Sequence, residues 1–244
     1  RNHQKNQVYA TVIGINDEGH RRLQFHNTAN ILDELDKLGE PPLPPYIQRK
    51  ADFVKDGERY QTIFAKIPGS VAAPTAGLHF SHQLLDKIKN SGIQIAYITL
   101  HVGPGTFAPV KAEKIEEHKM HYEHFEISEE TAQKINETKA RGGRILAVGT
   151  TSVRTLESVA QKHQGKIAPV QSKTNLFIYP PFNFKAADIL LTNFHLPCST
   201  LLMLVSAFAD PGGTNGKALI FKAYNEAIKE RYRFYSYGDA MLIL

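Results

Sequence analysis

The sequence predicts an α/β protein: a mostly parallel sheet, open or closed into a barrel-like form, with helices packed on it. Three observations lead there. From about residue 80 onward, stretches of helical periodicity alternate with short apolar, β-branched runs, the pattern of strands joined by helices. Two of those runs, residues 93–100 and 144–148, are nearly continuous in apolar character, as strands covered on both faces are. Glycines and polar residues then gather directly after the runs, where ligands sit in such folds.

Taken in order, residues 7–13 alternate apolar and polar, Asn16-Asp17-Glu18-Gly19 has turn chemistry, and Arg22-Leu23-Gln24-Phe25 resumes the extended pattern, so a β-hairpin is expected. Ile31, Leu32, Leu35 and Leu38 recur at helical spacing and Gly39 stops the helix. Pro41, Pro42, Pro44 and Pro45 enforce an extended connection. A helix over 80–90 closes at Ser91-Gly92 and leads into the strand over 93–100. Ser128 caps a helix running to about Arg141, with acidic residues in its first turn, and Gly142-Gly143 ends it before the strand over 144–149. A helix over 153–161, strands over 175–179 and 189–192, an apolar helix over 200–209 and an amphipathic one over 217–231 complete the pattern.

The chain has 244 residues, 42% hydrophobic and 22% charged, enough to bury one sizeable core. The apolar stretch from Leu201 to Ala209 falls far short of the roughly 20 residues that span a bilayer, and the N-terminal residues have no apolar signal-peptide region, so no membrane partner is expected. A single cysteine, Cys198, excludes an intramolecular disulfide and a zinc site built on several thiolates, and fits a reducing cytoplasm. The formal charge of +5 predisposes the protein to polyanions through counterion release.

Six segments carry candidate chemistry. Gly69-Ser70-Val71-Ala72-Ala73-Pro74-Thr75-Ala76-Gly77-Leu78-His79 packs small residues ahead of a helix, letting backbone N–H groups approach a ligand; an ordinary tight turn is the alternative. His101 ends a strand and precedes Gly103 and Gly105, a place for proton transfer, for holding a purine, or for a plain bond to a turn carbonyl. In the imidazole-dense His118-Lys119-Met120-His121-Tyr122-Glu123-His124, an extended chain puts His121 and Glu123 on one face with Phe125 and Ile127. That spacing differs from the His-Glu-x-x-His of zinc hydrolases, so a His–Glu pair that orients a substrate or moves a proton is preferred to a metal site. Gly149-Thr150-Thr151-Ser152-Val153-Arg154 leaves a strand and opens a helix, a design for an anion or carboxylate onto which Arg154 forks. It matches neither a Walker loop nor a dinucleotide turn; a nucleophilic Ser152 and a simple helix cap stay open. Thr192-Asn193-Phe194-His195-Leu196-Pro197-Cys198-Ser199 repeats that logic, with Cys198 a bystander. Finally, Tyr232-Arg233-Phe234-Tyr235-Ser236-Tyr237-Gly238-Asp239 either stacks a base or ribose or seals the core.

Standing in this order, Ala73-Pro-Thr-Ala-Gly-Leu-His-Phe80, His101-Val-Gly-Pro-Gly-Thr-Phe107, His118-Lys-Met-His121, Gly149-Thr-Thr-Ser-Val-Arg-Thr-Leu-Glu157, Thr192-Asn-Phe-His-Leu-Pro197 and Tyr232-Arg-Phe-Tyr-Ser-Tyr-Gly-Asp-Ala-Met241 closely resemble the S-adenosylmethionine:tRNA ribosyltransferase-isomerase family of queuosine biosynthesis, from about residue 41 to 244. The resemblance implies residues 1–27 as the remnant of a small, only partly present β-barrel domain and 28–244 as the main α/β catalytic domain. It implies transfer and isomerisation of the ribosyl group of S-adenosylmethionine onto 7-aminomethyl-7-deazaguanine in tRNA, giving epoxyqueuosine, adenine and methionine, with no metal. A cytoplasmic monomer whose partners are tRNA and S-adenosylmethionine is expected. His101, His121, His195 and Asp239 are then the catalytic candidates. Substrate-binding candidates are Thr75, Gly77 and His79; Gly103 and Gly105; Thr150, Thr151, Ser152, Arg154 and Glu157; Asn193 and Ser199; and Tyr237. Two rival classes are a hydrolase using His118, His121 and Glu123 or Ser152, and a non-catalytic RNA-binding module.

Overall fold

The computed structural model describes residues 8–16, 19–39, 43–44, 46–47, 57–103 and 112–244. The chain divides into two compact units, residues 1–41 with 51–57, and residues 42–50 with 58–244. In the smaller, β1 (Tyr9–Ile15) and β2 (Arg21–His26) form the expected antiparallel hairpin, with Tyr9 opposite His26 and Ile15 opposite Arg21. Asn16 closes its turn: the side-chain oxygen accepts from the His20 N–H (2.8 Å) and its carbonyl from Gly19 (2.9 Å). Helix α1 (Leu32–Leu38) ends as read, with the Gly39 N–H donating to Leu35 O at 2.8 Å. Of the proline cluster, Pro41, Pro42 and Pro45 lie outside the described residues, as do Asp17 and Glu18 of the hairpin turn.

Among the described residues, the larger unit holds two three-stranded sheets. One has the order β3–β4–β6, from Thr99–His101, Glu123–Ile127 and Val170–Thr174, and both its pairings are antiparallel. The other has the order β5–β7–β8, from Leu146–Val148, Ile189–Asn193 and Ala240–Ile243. There β5 runs parallel to β7, and β8 antiparallel to it. Among the described residues, five longer α-helices accompany them: α2 (His82–Asn90), α3 (Glu129–Ala140), α4 (Thr150–Lys162), α5 (Thr200–Ala209) and α6 (Gly216–Lys229). Ser81, Ser128 and Ser199 cap α2, α3 and α5 by accepting the N–H three residues on. The core centres on α4, whose Val153, Leu156, Val159 and Ala160 bury against Leu190 of β7 and Leu204, Val205 and Phe208 of α5.

The α/β class therefore holds, but the mostly parallel sheet does not: among the described residues β5–β7 is the one parallel pairing, and no sheet closes into a barrel. The reason lies in where the helices lead. A parallel pair needs a crossover helix that returns the chain to the same sheet. Here α3 carries the chain from β4 to β5, and α4 from β5 to β6, each time into the other sheet. Helix–strand alternation in sequence cannot distinguish these routes.

Two expected strands also differ. Of 93–100 only the end pairs, as β3; Ile93 and Tyr97 are exposed, and the Tyr97 carbonyl is taken by the Thr131 hydroxyl of α3 (2.8 Å) rather than by a neighbouring strand. No strand forms over 175–179, because the Thr174 side chain takes the Leu176 N–H (3.1 Å) and turns the chain out of β6. No helix among the described residues is long and apolar enough to cross a membrane.

Candidate active site

The parallel pair β5–β7 places two strand C-termini side by side, and each leads into a polar turn and then a helix. Gly149 leaves β5 with φ of 88°, a left-handed conformation that suits glycine, and its N–H still donates to Leu191 O of β7 (2.8 Å). Helix α4 consequently starts at Thr150, three residues earlier than its periodicity suggests, and no side chain caps it. The first-turn N–H groups of Thr150 and Thr151 have no partner within a helix by position.

Against these turns lies a cavity of about 320 Å³. Three of the polar segments meet there: Ala72–Ala76, Gly149–Thr151 and Thr192–Ser199, joined by Val102, Tyr46, Tyr235 and Ser236. A side-chain bond fastens the first to the third, as the Thr75 hydroxyl donates to Asn193 Oδ1 at 2.9 Å. Asn193 is only 4% exposed, and its Nδ2 has no partner among the described residues. His195 shares a hydrogen bond through Nε2 with the Thr192 hydroxyl (2.9 Å), and its backbone N–H donates to the Tyr224 hydroxyl (2.9 Å). The residue keeps some surface on the cavity, yet its imidazole is packed among protein atoms, and burial pushes its pKa down to about 4. It is neutral at pH 7. Ser199 lines the cavity while donating to Leu196 O (2.7 Å).

Other candidates go elsewhere. Ser152 turns its hydroxyl back onto Val148 O (2.8 Å). Arg154 forms a buried ion pair with Glu123 from the inward face of β4, so its charge is already met inside the protein. Glu157 has no exposed surface and accepts the N–H groups of Lys185, Ala186 and Ala187 (2.9, 2.8 and 3.0 Å), anchoring that loop. Gly77 is buried where a Cβ would press on Thr62 at 3.1 Å. His79 is exposed, near enough to Asp239 to help lower its pKa. Asp239 itself accepts from the Arg233 N–H and Nη2 (both 2.7 Å), and chiefly these bonds hold its carboxyl below the usual range. Tyr237 packs edge-on to Tyr60, centroids 5.5 Å apart.

His101 borders a separate cavity of about 300 Å³ with His124, Glu126 and Gln171, while the next residue, Val102, lines the first. Its Nδ1 is buried without a partner among the described residues. Gly69, with φ of 138°, lies so close that a Cβ there would sit 2.6 Å from this nitrogen. Gly103 faces open space, whereas Gly105 lies outside the described residues. His121 is exposed ahead of β4, and His118 packs edge-on to Phe177 at 5.3 Å; no group of three or more metal-ligating side chains occurs among the described residues. Tyr46 was not legible as a site residue, because a tyrosine after a proline cluster carries no motif; Tyr235 and Ser236 lie in the aromatic segment read as a base or ribose platform.

The family model described as queuosine biosynthesis protein matches residues 2–243. Among solved structures, the S-adenosylmethionine tRNA ribosyltransferase from Thermotoga maritima is similar, at 38% identity and a TM-score of 0.54, over 97% of this chain and 62% of that one. The chain thus spans less than two thirds of that protein's length. With the match extending over nearly all of its residues, the chain belongs to the queuosine biosynthesis protein family.

Proposed function

We propose that this protein transfers and isomerises the ribosyl group of S-adenosylmethionine onto 7-aminomethyl-7-deazaguanine in tRNA, forming epoxyqueuosine and releasing adenine and methionine. The observation that carries the reading is the convergence of three polar turns on one cavity beside a neutral histidine, in a chain of this family. The sulfonium acidifies the adjacent ribose carbon, so the reaction needs a base there, a proton for departing adenine and a hold on the methionine carboxylate.

His195 suits the first task. Its imidazole is unprotonated and carries no positive charge to repel a sulfonium, while the same burial makes it a weaker base than a free imidazole until the substrate's charge sits beside it. The Thr192 hydroxyl fixes the ring by its bond to Nε2. The first-turn N–H groups of α4 and the Asn193 amide suit a carboxylate, since a helix start favours negative charge. S-adenosylmethionine is the co-substrate, no metal is called for, and tRNA is the macromolecular partner of a cytoplasmic monomer. His101, His121 and Asp239 stand as further catalytic candidates, Asp239 for a ribose hydroxyl or the substrate amine.

The test incubates the protein with S-adenosylmethionine and tRNA bearing the aminomethyl deazaguanine, then quantifies adenine, methionine and the modified nucleoside. Equal yields of all three are expected, with about a hundredfold slower adenine release for His195→Ala. Absence of adenine above the enzyme-free control, with S-adenosylmethionine shown to bind, overturns the assignment.

A further inference from the structure

We propose that Tyr46 and Tyr235 form a stacking wall that holds a planar purine-type base in the cavity, an inference that rests on the ribosyltransferase reading of that cavity. Both rings line it, with centroids 5.0 Å apart and planes inclined at 50°. Both residues are half-buried, unlike the core tyrosine Tyr224, so ring surface remains for a ligand.

The pair is held in place by its hydroxyl end and by its backbone. Ser236 bonds the Tyr46 hydroxyl through both its own hydroxyl and its N–H, the latter at 3.2 Å, and the Tyr60 hydroxyl reaches the same serine Oγ at 3.5 Å. Anchoring the oxygen fixes the far end of the Tyr46 ring, and the contact with Tyr235 limits its rotation. Tyr235 has φ of 70°, a left-handed conformation that a bulky side chain disfavours. Its turn is tied down on every side: the Tyr235 N–H donates to Phe194 O (3.1 Å), Gly238 N–H to Tyr235 O (3.0 Å) and Asp239 N–H to Arg233 O (2.7 Å). Cys198 lines the same cavity with φ of 55°. Strained residues held by their surroundings cluster at binding sites, where the strain presets an orientation. Aromatic faces are the usual platform for an unstacked base.

Two bases of the proposed reaction share this chemistry, the adenine of S-adenosylmethionine and the deazaguanine of the acceptor. The experiment separates them. The protein has ten tyrosines and no tryptophan, so its intrinsic emission reports tyrosine directly. Wild-type protein is titrated with adenosine in one arm and with the 7-aminomethyl-7-deazaguanine nucleoside in the other, reading quenching of that emission. Tyr46→Leu and Tyr235→Leu follow in the arm that responds, each with its melting temperature, beside Tyr46→Phe and Tyr235→Phe.

Saturable quenching by either nucleoside is expected, with affinity lowered about 5- to 100-fold in the leucine variants, recovered in Tyr235→Phe and recovered in part in Tyr46→Phe, which keeps the ring but loses its bond to Ser236. The responding arm names the base. No quenching in either arm overturns the proposal, as does unchanged affinity in both leucine variants. Base binding without adenine release from the complete reaction sinks the ribosyltransferase reading alone; normal turnover in Tyr46→Leu and Tyr235→Leu sinks the stacking wall alone.

Discussion

Replacing Glu157 by Gln exchanges one carboxylate oxygen for an NH2 group at a side chain with no exposed surface. The native Oε1 accepts from Ala186 and Ala187, and Oε2 from Lys185 and, at a long 3.4 Å that contributes little, from Gln161 Nε2. The best-placed amide keeps its oxygen on the two alanines and turns its NH2 toward the Lys185 N–H, donor against donor. Two charge-assisted bonds become neutral ones, losing about 1 kcal/mol each, and one N–H is stranded at about 1 kcal/mol because Lys185 borders solvent, so the sum is about 3 kcal/mol. For a chain of this size that lowers the melting temperature by roughly 6–12 °C, read by calorimetry. Affinity for S-adenosylmethionine, measured well below the transition, stays unchanged. A melting temperature within about 1 °C of wild type, or a weakened affinity at undiminished stability, refutes the reasoning and returns Glu157 to the substrate.

His195 makes stability pH-dependent. Its pKa is about 4 when folded against 6.5 unfolded, so the unfolded chain binds the extra proton between those values. The contribution is complete above about pH 6.5 and is lost as pH falls toward 4, by at most about 3 kcal/mol, less what the residue's remaining surface on the cavity screens. Urea midpoints at pH 7 and pH 5 should diverge in wild type and draw together in His195→Gln; parallel slopes in the two proteins contradict this. Glu123→Ala leaves the Arg154 charge buried and alone, costing about 3–5 kcal/mol, and adding Arg154→Met recovers part of it. Equal urea midpoints for the single and double variants dismiss the ion pair as the cause. Gly69→Ala meets both a left-handed backbone and the His101 ring, so a loss of about 1–3 kcal/mol is expected in thermal unfolding, and a neutral result shows that the ring moves freely.

Local chemistry made much of this molecule readable. The hairpin, the serine-capped helices and the apolar α5 follow from signals within a few residues, and each occurs where the sequence puts it. Glu123 and Phe125 share the inward face of β4, as strict alternation requires. What the sequence could not reveal is set by partners distant along the chain. Arg154 looked like an anion clamp because its own neighbours are polar, whereas Glu123 had already claimed it. Ser152 and Glu157 belong to the same stretch as Thr150 and Thr151, but Ser152 turns its hydroxyl back onto Val148 O, and Glu157, about two turns along α4, is taken up by the N–H groups of Lys185, Ala186 and Ala187. Of the four catalytic candidates, His195 lines the cavity because it follows β7 directly; the other three do not line it.

The bond between Tyr46 and Ser236 joins residues 190 positions apart, and Thr75 meets Asn193 across 118. A ribosome synthesising this chain therefore produces helices and the hairpin long before this cavity exists, because Tyr235 and Ser236 emerge after every other residue that lines it. Closure of such long loops is slow relative to local folding, so ligand-binding competence arrives as a late, cooperative event. Truncation that stops the chain just before Tyr235 removes it and Ser236 and abolishes that competence while sparing most of the core.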